Sequence, residues 1–166
     1  MTESKDEPRR RRSAARPASP RGASASPRAA ATRKVPRQAA RAPRSSGAEE
    51  ARKLALVIAS AALEKKALAV EILDVVGKVD YADFLVLMTG RSNRQVDALS
   101  QAVKEACDKK KRRALSTEGT SAASWILIDF GDVVVHIFQE EARGLYDIEG
   151  LWLDAARLPV PGSSTR

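Results

Sequence analysis

Trp125-Ile126-Leu127-Ile128-Asp129-Phe130-Gly131-Asp132-Val133-Val134-Val135-His136-Ile137-Phe138 is the stretch that decides how this chain folds. Two β-rich runs flank a Gly-Asp pair, and glycine at the first position of a two-residue loop suits a type II′ hairpin. Counting outward from that loop sets Phe130 opposite Val133, Asp129 opposite Val134, Ile128 opposite Val135, Leu127 opposite His136, Ile126 opposite Ile137 and Trp125 opposite Phe138. Directly paired residues share a face, so the side chains sort into two sets. Ile126, Ile128, Phe130, Val133, Val135 and Ile137 are wholly apolar and form the core face. Trp125, Leu127, Asp129, Val134, His136 and Phe138 combine large aromatics with a carboxylate and an imidazole. Burying that mixed face is costly, because Asp129 and His136 each need a partner. Left in water it is an apolar patch with polar groups, the composition of a binding surface. The competing reading is that a helix of the domain covers it and a basic group pairs with Asp129.

Upstream, Leu54, Val57, Ile58, Ala61 and Ala62 recur at helical spacing and predict an amphipathic helix over about 48–66. Leu68 to Val76 is β-rich and stops at Gly77, and the unbroken apolar run Phe84–Met88 reads as a strand covered on both faces, ending at Thr89-Gly90. Ser92 and Gln95 then form a capping box, in which the Ser92 hydroxyl accepts from the Gln95 N–H and the Gln95 side chain reaches back to the Ser92 N–H. The helix they open carries Val96, Leu99, Val103, Ala106 and Cys107 on one face and ends in Lys109-Lys110-Lys111-Arg112-Arg113. Cations there complement the helix dipole; an RNA contact is the alternative. After the hairpin, Glu140–Trp152 reads as a short helix and further turns whose Ala142, Leu145, Tyr146, Ile148, Leu151 and Trp152 dock on the sheet. The expected fold is α/β, with a mixed sheet of about five strands flanked by helices. The expected domain spans residues 48–153, and the Pro/Gly/Ser-rich end, 154–166, is expected to be flexible.

Charge is unevenly spread over the 166 residues. Residues 1–47 hold 13 Lys/Arg against 3 Asp/Glu, whereas the remaining 119 hold 16 against 18. The formal charge of +8 therefore belongs to an Arg/Ala/Ser/Pro-rich tail, which lacks the apolar residues to offset its chain entropy and is expected to be disordered. That tail reads either as a loose, salt-sensitive contact with RNA phosphates or as a solvated extension; its Arg- and Ser-rich composition also suits a transit peptide, though Glu3, Asp6 and Glu7 oppose this. A single cysteine and a single histidine exclude an intramolecular disulfide and a zinc cluster. Neither a metal nor another cofactor is expected. No apolar run approaches the roughly 18 residues of a membrane span. The expected compartment is reducing and aqueous, the cytoplasm.

Over residues 50–153 the chain resembles the ribosomal silencing factor family, also called Iojap-related proteins. The resemblance rests on Asp83-Phe84, the run Thr89-Gly90-Arg91-Ser92-Asn93-Arg94-Gln95-Val96, Glu118-Gly119, the hairpin Trp125–Phe138, and Arg143, Tyr146, Glu149, Leu151 and Trp152 in order. It does not extend to the first 47 residues. The resemblance implies a nucleotidyltransferase-like fold, often homodimeric when free. It also implies binding to the large ribosomal subunit through its fourteenth ribosomal protein, on the surface facing the small subunit. The consequence would be blocked subunit joining and repressed translation when nutrients are short; a role in large-subunit biogenesis is also implied. On this reading the partner-binding residues are Trp125 as apolar anchor, Leu127, Asp129, His136 and Phe138, with Glu118 at the rim.

Two rival functions follow from the same residues. A nucleotidyltransferase-like enzyme needs closely spaced carboxylates that hold metal ions after the Gly90-Arg91-Ser92 turn, yet the next acid is Asp97, on the helix; no catalytic residue is assigned. A direct RNA-binding module needs basic residues interleaved with aromatics on one sheet face, and the hairpin face offers a carboxylate with no Lys or Arg.

Overall fold

The structure, a computed structural model, describes residues 47–163, so the expected tail lies outside the described residues apart from Gly47. The elements follow in the order α1 (Gly47–Glu64), β1 (Leu68–Asp74), β2 (Phe84–Gly90), α2 (Asn93–Lys109), β3 (Ser116–Glu118), β4 (Trp125–Asp129), β5 (Val133–Gln139), α3 (Glu140–Tyr146), a 3-10 helix (Ile148–Trp152) and β6 (Ala156–Leu158).

The strands form one mixed sheet of order β3-β4-β5-β2-β1-β6, in which β2 and β5 run parallel and the other neighbours antiparallel. It has six strands rather than about five. The sixth corrects the expected boundary at residue 153: Ala155 is buried, and Ala156, Arg157 and Leu158 pair with Asp74, Leu73 and Ile72 of β1. An edge strand of Ala-Arg-Leu running into Pro159 is too short to show a period, so the sequence gives no sign of it.

β2 is buried along its whole length, as its continuous apolar run requires of a strand with helices on one side and further cover on the other. The β4–β5 hairpin has the counted register, from Trp125 opposite Phe138 to Asp129 opposite Val134. The Phe130 N–H donates to the Val133 carbonyl at 2.9 Å. Gly131 turns the chain with φ +92°, and its N–H donates to Asp129 Oδ1 at 2.6 Å. Ile126, Ile128, Phe130, Val133, Val135 and Ile137 all join the main core, against Leu54, Ile58 and Ala62 of α1 and Val96, Leu99, Val103 and Cys107 of α2. Burial pushes the Cys107 thiol up to about 12, as befits a core residue.

The capping box at α2 differs from expectation by one residue. Ser92 Oγ accepts from the Gln95 N–H at 3.2 Å, but Gln95 Oε1 accepts from Arg91 N–H at 2.8 Å rather than from Ser92. The Gln95 amide also donates to the carbonyls of Lys65 and Lys66, at 3.2 and 3.1 Å, and so ties the start of α2 to the turn after α1.

Gly119, directly after β3, has φ +85°, and a Cβ there would lie 2.0 Å from the Trp125 carbonyl oxygen. Gly77 has a similar φ of +74° with nothing within 4 Å of the same position. Gly77→Ala should therefore lose about 1–2 kcal/mol, the cost of a left-handed alanine. Gly119→Ala adds a backbone clash and should lose at least about 3 kcal/mol, a large effect for one substitution. Urea denaturation of both variants checks this, and equal losses would show that the β3–β4 contact tolerates the methyl group.

Candidate functional site

The second face of the sheet holds all the residues singled out from the sequence. The β3–β4 register sets Glu118 opposite Leu127 and Ser116 opposite Asp129, which puts Glu118 on the face of Trp125, Leu127 and Asp129. β5 adds Val134, His136 and Phe138, and β2 adds Leu85, Leu87 and Thr89 through its parallel pairing.

These residues are unequally accessible. Phe138 has no exposed surface and His136 keeps 8% of its own. The chain beyond β5 folds back, so that Ala142, Ile148 and Trp152 pack against the cluster formed by Phe138, Val134, Leu85 and Leu87. The face is thus roofed over β2 and β5, while Trp125, Leu127 and Asp129 of β4 stay partly exposed and Glu118 exposed. The domain itself thus covers one half of the face, as the competing reading expected, and leaves the other half open. Phe138 and His136 are corrected from contact residues to the support beneath them. Leu145 and Leu151, expected to dock on the sheet, instead point outward with 79% and 70% of their surface exposed.

Trp125 sits at the boundary between the two halves, held by three rings. Its ring lies 4.5 Å from that of Tyr146, 5.3 Å from Phe138 and 5.9 Å from His136, centroid to centroid. Each such pair contributes about 0.5–1.5 kcal/mol beyond the area it buries, so the indole is fixed before any partner arrives. Its Nε1–H donates to His136 Nδ1 at 3.3 Å. That bond requires an unprotonated Nδ1, and burial lowers the imidazole to about 4, so His136 is neutral at physiological pH.

Carboxylates on this face also serve the fold. Asp129 accepts the Gly131 N–H, whereas the sequence offered it either a partner protein or a basic group of the domain. At the loop, Asp132 Oδ2 receives Arg112 Nη2 at 3.1 Å. Among the described residues no group of three or more His, Cys, Asp and Glu side chains is placed to hold a metal ion.

The residue that sequence reasoning undervalued is Arg143. From α3 its guanidinium donates to Thr89 Oγ1 at 2.9 Å and to the Ala69 carbonyl at 2.5 Å, and it pairs with Glu149 and, at 3.4 Å, with Glu71. A helix of seven residues is marginal alone, and this mostly buried network pins it to β1 and β2. The available signal was an arginine one residue after Ala142 on a docking segment, since a cation brought inward implies carboxylates to meet it.

The pH dependence of stability reports on His136. Its folded pKa lies below the ordinary 6.5, so its contribution is full above about pH 6.5 and is lost as pH falls toward 4. With that shift, stability should drop by about 2 kcal/mol between pH 7.5 and pH 5, and His136→Gln should remove most of this slope. Urea midpoints at the two pH values measure it, and an unchanged slope in the variant would mean that another group titrates.

Comparison with known proteins agrees with this architecture. The family described as RsfS, ribosomal silencing factor during starvation, matches residues 48–166. The ribosomal silencing factor RsfS of Bacillus subtilis is 38% identical over 105 residues, covering 63% of this chain and 89% of that protein. The chloroplastic protein Iojap of Zea mays is 35% identical over 117 residues, covering 70% of this chain and 51% of that one. A crystal structure from Bacillus halodurans superimposes with a TM-score of 0.59 at 32% identity, covering 66% of this chain and 99% of its own. With a family match across the whole described domain and relatives that share its length and fold, the chain belongs to the ribosomal silencing factor family.

Proposed function

We propose that this protein represses translation without catalysis, by occupying the large ribosomal subunit so that the small subunit cannot join. The contact runs through the fourteenth ribosomal protein of the large subunit, in the cytoplasm, when nutrients are short. The observation that carries this reading is the open half of the sheet: a half-buried indole immobilised by three rings, next to Leu127 and flanked by Glu118 and Asp129 on adjacent strands. A rigid aromatic anchor beside carboxylates suits a basic protein surface, as ribosomal proteins offer. Blocking needs occupancy alone, and nothing in this arrangement calls for a nucleophile: His136 is neutral and its Nδ1 accepts the Trp125 indole N–H. Leu145, Leu151 and Leu153, exposed on the roof segment, support a homodimer when the protein is free, because apolar patches on a monomer are normally covered.

Trp125→Ala should weaken co-sedimentation of the full chain with purified large subunits by about tenfold or more. Because Trp125 also packs inside the domain, Glu118→Arg is the companion variant: exposed on an edge strand, it should weaken the complex by about tenfold or more, as like charges then oppose, with circular dichroism showing that the domain stays folded. Wild-type binding by both variants would defeat the proposed surface. Deleting residues 1–47 should weaken the complex mainly at low salt, and a loss of equal size at high salt would mean that the tail makes specific contacts.

A further inference from the structure

The basic run at the end of α2 is not used by the docking face. Residues 48–166 hold 16 Lys/Arg against 18 Asp/Glu, and Lys109–Arg113 supply five of those cations, leaving 11 against 18 elsewhere. The rest of the domain is therefore net acidic, and this run is its longest unbroken stretch of cations. The helix dipole accounts for a cation in the last turn, and only Lys109 lies there; Lys111 and Arg113 fall beyond the helix end. Arg112 is taken by Asp132, but Lys109, Lys110, Lys111 and Arg113 are exposed, and among the described residues none of them has an ion-pair partner.

The backbone presents this charge in a fixed form. Arg112 N–H donates to the Cys107 carbonyl at 3.0 Å and Lys111 N–H to Asp108 at 2.8 Å, a Schellman end in which Lys111 has φ 57°. That left-handed position favours glycine, and a lysine there is held against its backbone preference. Among the described residues, Lys111, Arg113 and Asp108 line a surface depression. Strain of this kind is a pointer to function when a second feature agrees, and here the agreeing feature is the dense run of exposed positive charge.

The position matters too. Leu115 N–H donates to the Asp129 carbonyl at 2.7 Å, so the run leads into the hairpin-loop end of the β3–β4 strip, away from Trp125. We propose that Lys109, Lys110, Lys111 and Arg113 form a second contact surface, which grips the phosphate backbone of ribosomal RNA beside the protein met by the sheet face. RNA rather than protein is the partner because the four groups are cations without an interleaved aromatic, which suits sequence-independent phosphate contact. The inference rests on the ribosome reading for the source of the RNA, and its test separates the two.

Full-length Arg113→Cys, carrying a thiol-specific photocrosslinker and bound to purified large subunits, should crosslink to ribosomal RNA; buried Cys107 will not compete for the label. A crosslink to ribosomal protein alone, or none, overturns the proposal. The quadruple variant Lys109→Ala/Lys110→Ala/Lys111→Gly/Arg113→Ala provides the second measurement. Lys111→Gly relieves the left-handed strain, so its melting temperature should not fall. Its log–log dependence of subunit affinity on salt should be shallower by roughly three, at about 0.7–0.9 for each of the four lost phosphate contacts. An unchanged slope defeats the surface. Trp125→Ala should weaken the complex and leave that slope intact, so normal binding by Trp125→Ala with a shallower slope in the quadruple variant would sink the docking-face reading and keep this one.

Discussion

The turn at Gly131 is the constraint on which the rest of the structure depends. A slip of one residue in the β4–β5 register would send Trp125 and Leu127 into the core and put Ile126 and Ile128 on the surface. Three interactions hold it: the Asp129 carboxylate on Gly131 N–H, the Phe130 N–H on the Val133 carbonyl, and Arg112 on Asp132. The same loop fixes a second register. The Asp132 carbonyl accepts the N–H groups of Asp83 and Phe84, at 2.7 and 3.2 Å, where β2 enters the sheet. Phe84 thereby falls opposite Val133, and every later parallel pair, through Thr89 opposite Phe138, follows from that one.

Once register is set, the two faces part company for a simple geometrical reason. Helices α1 and α2, of 18 and 17 residues, are long enough to cover the inner face. The other face is left to the turn between β1 and β2 and the short segment after β5, which cover β2 and β5 and leave β4 partly open, touching Trp125 through Tyr146. The roof is held by Arg143, which meets Thr89, Ala69, Glu71 and Glu149 from a helix too short to stand alone. Removing one partner from so buried a group leaves an uncompensated charge, a loss of about 3–5 kcal/mol. The open strip thus borrows its rigidity from the covered half: Tyr146 of the roof and Phe138 beneath it brace Trp125.

What could be read from the sequence divides along the same line. The hairpin register, the all-buried β2 and the core face of α2 were legible because each is dictated by a period or a count: alternation in strands, 3.6 in helices, two residues in a loop. Exposure within the second face was not legible. Phe138 and Leu127 occupy equivalent alternate positions, and only the path of residues 140–155 decides that the first is sealed and the second is not. Outward-facing Leu145 and Leu151 defeated a hydrophobicity argument because a seven-residue helix followed by a 3-10 turn lacks a stable period. The Gln95 bond to Arg91 rather than Ser92, and β6, turn on tertiary placement of the same kind.

The size of the open strip limits what it can do alone. β4 has five residues and β3 three. At about 3.3 Å per residue and 4.8 Å between strands, the strip covers on the order of 150 Å². A stable interface needs about 800 Å² from each partner. The indole can anchor a complex, yet most of the contact has to come from the ground on either side. At the Trp125 end, Gln139 N–H bonds the Ser124 carbonyl at 2.8 Å, and α3 begins there with its exposed Leu145 and Tyr146. At the loop end stand the cations of Lys109–Arg113. One flank is apolar and the other basic, so the strip sits between surfaces suited to protein and to phosphate. A large subunit presents both side by side, which free RNA or an isolated ribosomal protein does not. Under the proposed function, discrimination for the assembled particle would then follow from geometry, with each flank too weak by itself and the indole setting the register between them.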